Sequence, residues 1–201
     1  MKADVDVKKV LEELLNEYPV CEYAFGSTDM ITFSDKVFEV CRTDCPRYGH
    51  RWACPPNAGN IEDNIKRIGH YDSFLLFSTV WDVEDAWDFE ACFEVKKQHE
   101  AISRSLREKL LERCQVKMES LAENPAPEIY MLSSGCDLCD DCSCPDKPCR
   151  HPKERLMTPE SHGILLVKLA EDTGLTLKYD NKTVVYFSMV FFNDIKMDLH
   201  Y

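Results

Sequence analysis

Val7, Val10, Leu11 and Leu14 recur at three- and four-residue spacing, which predicts an amphipathic helix over 5–17. Tyr18-Pro19 ends it, because the residue before a proline is pushed out of the helical region. Segments 21–32 and 36–41 have the apolar density of strands, the second reading Lys-Val-Phe-Glu-Val-Cys. The pattern then predicts a turn at 57–60, a short helix over 60–69 and a buried strand over 73–80. Trp87, Ala91 and Val95, followed by Ile102, Leu106 and Leu110, lay out a long helix over 84–114. Two prolines break the chain at 124–127, and a short strand over 129–133 follows. Thr158 as N-cap with Pro159 behind it starts another helix, which runs through Leu169 and stops at Gly174. Segment 183–192 is apolar at both parities, so it is covered on both faces and belongs in the middle of a sheet.

These elements describe an α+β (or α/β) fold, a mixed sheet flanked by helices. There is no internal repeat, and 1–201 reads as a single domain. Strand order is not legible in the pattern. Between the periodic segments lie two loops, 41–56 and 136–152, expected to project from strand ends. They hold eight of the 11 cysteines.

The second loop carries Cys136, Cys139, Cys142, Cys144 and Cys149 within fourteen residues. Thiols at every third position serve successive corners of an iron–sulfur cubane, and a later cysteine takes the last corner. Zinc more often takes two Cys-x2-Cys knuckles separated by a longer spacer. The crowding therefore favours a [4Fe–4S] cluster, one or two per chain, with zinc as the alternative. Cys136, Cys139, Cys142 and Cys149 are the expected ligands. Cys144 is the alternative ligand, because Cys144-Pro145 resembles the end of a ferredoxin run.

The first loop offers Cys41, Cys45 and Cys54. Residues 41–54 carry three arginines and one aspartate, a local charge of +2 that is expected to lower the thiol pKa values. Trp52 offers an apolar lid. Three thiols allow a centre with an open iron, or one completed by Cys21, His50 or a thiol of the other loop. They also allow a larger centre shared by both loops, or simple packing within a proline-stiffened loop. Cys21, Cys92 and Cys114 read as isolated small hydrophobes. His162 stands at a helix start where it could face the second loop. His70, His99 and His200 show no ligand spacing, and most aspartates of the second loop are expected in solvent.

Composition narrows the functional classes. A formal charge of −12 and a pI near 4.9 exclude a basic stripe that would grip nucleic acid. The start of the chain lacks the apolar run of a secretory signal, and no stretch has the length of a membrane span. With a cytoplasmic location, cysteine-rich loops point to metal rather than disulfides.

The motifs Cys-x3-Cys-Pro-x-Tyr-Gly-x4-Cys-Pro-Pro and Cys-x2-Cys-x2-Cys…Cys-Arg-x-Pro together resemble the "predicted metal-binding protein" family (DUF2284-like), whose function is unknown. The resemblance runs from about Cys41 to the final strand. It implies metal ligands at Cys41, Cys45, Cys54, Cys136, Cys139, Cys142 and Cys149, with Cys144 extra to the pattern. The family's Met-Glu-Ala-x-Gly stretch is matched only loosely by 158–163. The expected function is an iron–sulfur protein acting in electron transfer or in activation of a redox or metalloenzyme partner. A zinc scaffold or metal carrier, and an iron–sulfur enzyme with substrate at an open iron, are the alternatives.

Overall fold

In a computed structural model, residues 5–119, 127–177 and 179–194 are described. The centre is an antiparallel pair, β2 (Ser73–Asp82) and β4 (Thr183–Phe192), in continuous register from Ser73 opposite Phe192 to Asp82 opposite Thr183. β1 (Glu22–Ser27) pairs with the free edge of β2, and β3 (Tyr130–Leu132) with that of β4. The order is β1-β2-β4-β3, with every ladder antiparallel, so the architecture is α+β. The doubly apolar strand β4 is central, as its pattern requires. Phe74, Leu75, Leu76 and Phe77 of β2 and Met189, Val190 and Phe191 of β4 are all wholly buried.

Among the described residues, five helices accompany the sheet. α1 (Val7–Leu15) is capped by Asp6, whose side chain accepts from Lys9 N. It packs on α4 (Phe89–Arg113), to which Glu13 and Glu17 are tied through Arg113 and Lys109. α3 (Ile61–Ile68) starts at an Asn60 cap and α5 covers Leu166–Asp172. No helix among the described residues is long and apolar enough to cross a membrane.

Four segments differ from expectation, each for a local reason. Residues 36–41 are not a strand but lie within α2 (Asp35–Asp44). Val37, Phe38 and Cys41 satisfy helical spacing as readily as strand density, and the Ser34 side chain caps the helix at Lys36 N. The strand expected over 21–32 stops at Ser27, where a 3-10 turn Thr28–Met30 takes over. α4 begins at Phe89 rather than 84, because Asp88 accepts from both Glu90 N and Ala91 N. Trp87 is consequently outside the helix and exposed. The helix expected from Thr158 to Gly174 is split. Thr158 does cap, taking Ser161 N at 2.9 Å, but only a 3-10 turn Glu160–His162 follows. Gly163 then turns left-handed, at φ +73°. A Cβ at Gly163 would lie 2.4 Å from Ile61 Cδ1, so glycine is required there both for φ and for space. The expected break at 124–127 falls, apart from Pro127, outside the described residues, as does His200.

Candidate metal centre

The second cysteine loop leaves the sheet at the end of β3. Ser133 N donates to Met157 O (2.8 Å), Gly135 bends the chain at φ +120°, and Asp137 N donates to Glu100 Oε2 of α4 (2.9 Å). Beyond this anchor the loop curls so that Cys136, Cys139, Cys142 and Cys149 line one pocket. Cys144 stands outside that lining. It is buried, and its Sγ approaches Gly49 O at 3.5 Å. All eleven cysteines are free thiols. Among the described residues no three His, Cys, Asp or Glu side chains are set to share a single metal ion.

Part of that pocket's wall comes from the first loop, through Arg51 and Trp52. Arg51 donates to Cys139 O (2.8 Å), Trp52 Nε1 donates to Lys147 O (3.1 Å), and Arg155 donates to Trp52 O (3.0 Å). The two loops are thus one structure, although residues 57–135 separate them in the chain. Trp52, expected as an apolar lid on the first loop, instead lines the pocket of the second.

The first loop does not leave a strand end. Cys41 sits in the last turn of α2 and Cys45 at its C-cap. Cys54 lies within a loop closed by the bond that Gly49 N donates to Pro55 O (2.8 Å), and its own N–H donates to Arg51 O (3.1 Å). Burial first, and then Cys45 and Cys41, push the Cys54 thiol up to about 12, while Arg47 and Lys96 pull it back. Cys41 is raised by burial, Cys45 and Glu160. The expectation that local arginines lower these thiols is therefore corrected for Cys41 and Cys54: desolvation outweighs the cationic field. Of the proposed fourth donors, Cys21 is exposed, with its N–H on Ser78 O (2.9 Å) at the sheet edge, and it is no buried hydrophobe.

Asp137 joins the two loops to α4. Its side chain, 4 % exposed, accepts from Arg47 (2.7 and 2.9 Å) and from Lys96 (2.5 Å), with Arg51 at 3.8 Å. Burial acts to raise this carboxyl's pKa, and Lys96 and Arg47 overcome it, leaving it below the ordinary value. Lys96 also pairs with the fully buried Glu100, which Arg104 approaches at 3.3 Å. The Arg47 guanidinium lies 4.5 Å from the Phe93 ring centroid. Most aspartates of the second loop are expected in solvent, and Asp140, Asp141 and Asp146 are exposed, whereas Asp137 is not. The available signal is the alternating Lys96, Glu100, Arg104 series at four-residue spacing, which places three charges on one helix face.

Two histidines belong to other networks. His162 faces Tyr130 (2.5 Å to its hydroxyl) and Thr158 O (3.0 Å), not the second loop. His99 lies in a buried chain running from Thr79 (2.7 Å) to Ser188 (2.9 Å), which continues to Ser103 and Ser133.

Four thiols line one pocket, the donor type that an iron–sulfur cluster or a thiophilic metal takes, although no three of them are set to share a single ion. Arg155 lines the same pocket, is 6 % exposed, and its Nε is buried without a hydrogen-bond partner. Such a donor suits a buried anionic centre. A family model described as predicted metal-binding protein (DUF2284) matches residues 26–192, a span that contains both cysteine loops. No curated protein and no solved structure matches the chain.

Proposed function

The chain belongs to the family of predicted metal-binding proteins (DUF2284), and within that family we propose an iron–sulfur protein that passes single electrons to a partner enzyme. The observation that carries this reading is the convergence of Cys136, Cys139, Cys142 and Cys149 on one pocket closed by Arg51, Trp52 and Arg155. These four thiolates would hold a [4Fe–4S] cluster, and Cys41, Cys45 and Cys54 a second centre. When bound, the cluster supplies reversible one-electron chemistry.

The surrounding residues have distinct roles in this reading. Arg51 fixes the Cys139 carbonyl and brings positive charge to the pocket wall, and Arg155 brings a second guanidinium. Both offset the negative charge that clustered thiolates introduce. Trp52 shields the pocket from water and is held by hydrogen bonds at both its indole and its carbonyl. Asp137 keeps the first loop seated on the second through Arg47 and anchors both to α4 through Lys96. The acidic surface, at −12 overall, would steer a basic redox partner in the cytoplasm.

Anaerobic purification followed by absorption and electron paramagnetic resonance spectroscopy tests the proposal. Sulfur-to-iron charge-transfer bands that bleach on reduction, with a paramagnetic signal appearing, are expected. Colourless protein containing zinc would replace the reading with a structural or carrier role.

A further inference from the structure

The segment that leads from β2 into α4 presents two large aromatic side chains to solvent. Trp87 is 79 % exposed and Phe89 86 %, one on each side of the helix cap Asp88. The segment itself is fixed. Val83 N donates to Lys182 O and Ala86 N to Asn181 O, both at 2.7 Å, and Trp87 N donates to Asp85 Oδ1 (3.0 Å). Around the two rings, residues 82–94 hold Asp82, Glu84, Asp85, Asp88, Glu90 and Glu94, all exposed, and no lysine or arginine. They supply −6 of the chain's net −12. Glu94 shares its charge with Lys97 (2.9 Å), and Lys182 stands at the edge with Asp180 two residues before it. One turn beyond Phe89 on the same helix face, the Phe93 ring carries Arg47 of the first cysteine loop at 4.5 Å and Lys97 at 5.1 Å from its centroid. The aromatic face therefore borders the metal-binding loops.

We propose that Trp87 and Phe89, set in this acidic collar, form the docking face for a basic protein partner whose arginine or lysine side chains stack on the two rings and meet the carboxylates. Exposed aromatic pairs supply the apolar anchors of interfaces, and a fixed segment lowers the entropy lost on binding. The collar chooses the occupant. It complements a cationic surface and draws arginine onto the ring faces, as Phe93 already does within the chain. It repels a second copy of the same face, and it repels the anionic surface of a membrane leaflet or a nucleic acid. That the partner exchanges electrons rests on the iron–sulfur reading; the docking face does not.

The probes are three short synthetic peptides, one of arginine and leucine, one with serine in place of leucine and one with glutamate in place of arginine. Each is titrated into the anaerobically purified full chain and followed by amide NMR shifts. The arginine–leucine peptide binds saturably and moves the amides of 83–93, the arginine–serine peptide binds more weakly, and the glutamate peptide does not bind. Trp87→Ser weakens the first about tenfold, as loss of an aromatic anchor requires. Glu84→Gln with Glu90→Gln weakens it about fivefold. Asp29→Asn with Asp194→Asn removes the same charge at the Ser73 end of β2, about 30 Å away, and leaves binding within about twofold of the parent, because salt screens charges at that distance. No saturable binding, equal binding of the arginine–serine peptide, or an equal loss in the Asp29 and Asp194 variant would overturn the proposal. So would a Trp87→Ser protein that is folded by circular dichroism and binds like the parent. Dimerisation of the parent chain that Trp87→Ser abolishes would give the face to a second copy and overturn it too. If the peptide binds as described and the protein holds no iron, the docking face stands and the electron-transfer reading falls.

Discussion

Asp137→Asn is the substitution through which the seating of one loop on the other is most directly measured. It preserves the shape of the side chain and removes its charge. The carboxylate is 4 % exposed and accepts from Arg47 and Lys96, whose side chains are 23 % and 14 % exposed. Removing one partner of a fully buried ion pair costs about 3–5 kcal/mol, mostly because the other charge is left stranded. Here the stranded cations reach solvent in part, and Lys96 keeps Glu100 as a partner. The expected loss is therefore smaller, about 2–3 kcal/mol, comparable to one or two hydrogen bonds to a charged group. Anaerobic urea denaturation of the metal-free, reduced protein reads this as a lowered midpoint at unchanged slope. Arg47→Met should cost less alone, and the double variant should recover about 1–2 kcal/mol of coupling. A loss below about 0.5 kcal/mol, the size expected of a surface substitution, would mean that Asp137 does not fasten the loops.

Three further outcomes are expected. His99 and His162 are held near 3, in both cases mainly by burial, so the unfolded chain takes up protons that the folded chain refuses between the ordinary histidine value and that level. Stability is thus complete above about pH 6.5 and falls with pH by up to about 2.7 kcal/mol per unit, with Glu160, whose carboxyl is raised by burial, opposing part of it; a urea midpoint that is flat from pH 6.5 to 5 would contradict this. Gly163→Ala brings a methyl within 2.4 Å of Ile61 Cδ1 at a positive φ and should cost at least about 1–3 kcal/mol, checked by thermal denaturation. Cys149→Ser should reduce the metal content of the second loop while Cys144→Ser leaves it near the parent's, measured by elemental analysis, and the reverse ranking would reassign the last ligand.

Much of this molecule can be read from its sequence where one physical signal dominates. Segment 183–192, apolar at both parities, has no stable home except a strand covered on both faces, and it is central in the sheet. The thiol spacing of 136–149 anticipates that Cys136, Cys139, Cys142 and Cys149 line one pocket, since a loop that short cannot carry them far apart. Residues 36–41 mislead because a six-residue apolar run suits either period; the cap that decides it, Ser34, lies outside the run. The partition of the second loop between Cys149 on the pocket and Cys144 on Gly49 O depends on the first loop's position, which no local pattern encodes. Asp137 is hidden for the same reason: a carboxylate between cysteines looks solvated until Arg47 and Lys96 arrive from distant segments. His99 shows no ligand spacing because its partners, Thr79 and Ser188, come from two different strands.

The central claim is that the second loop binds iron and sulfide rather than a lone ion. Iron, acid-labile sulfide and zinc should be quantified together on anaerobically isolated protein in which Cys41, Cys45 and Cys54 are replaced by alanine. About four irons and four sulfides per chain are predicted, with the second loop's spectrum retained. One zinc per chain without sulfide would contradict the account.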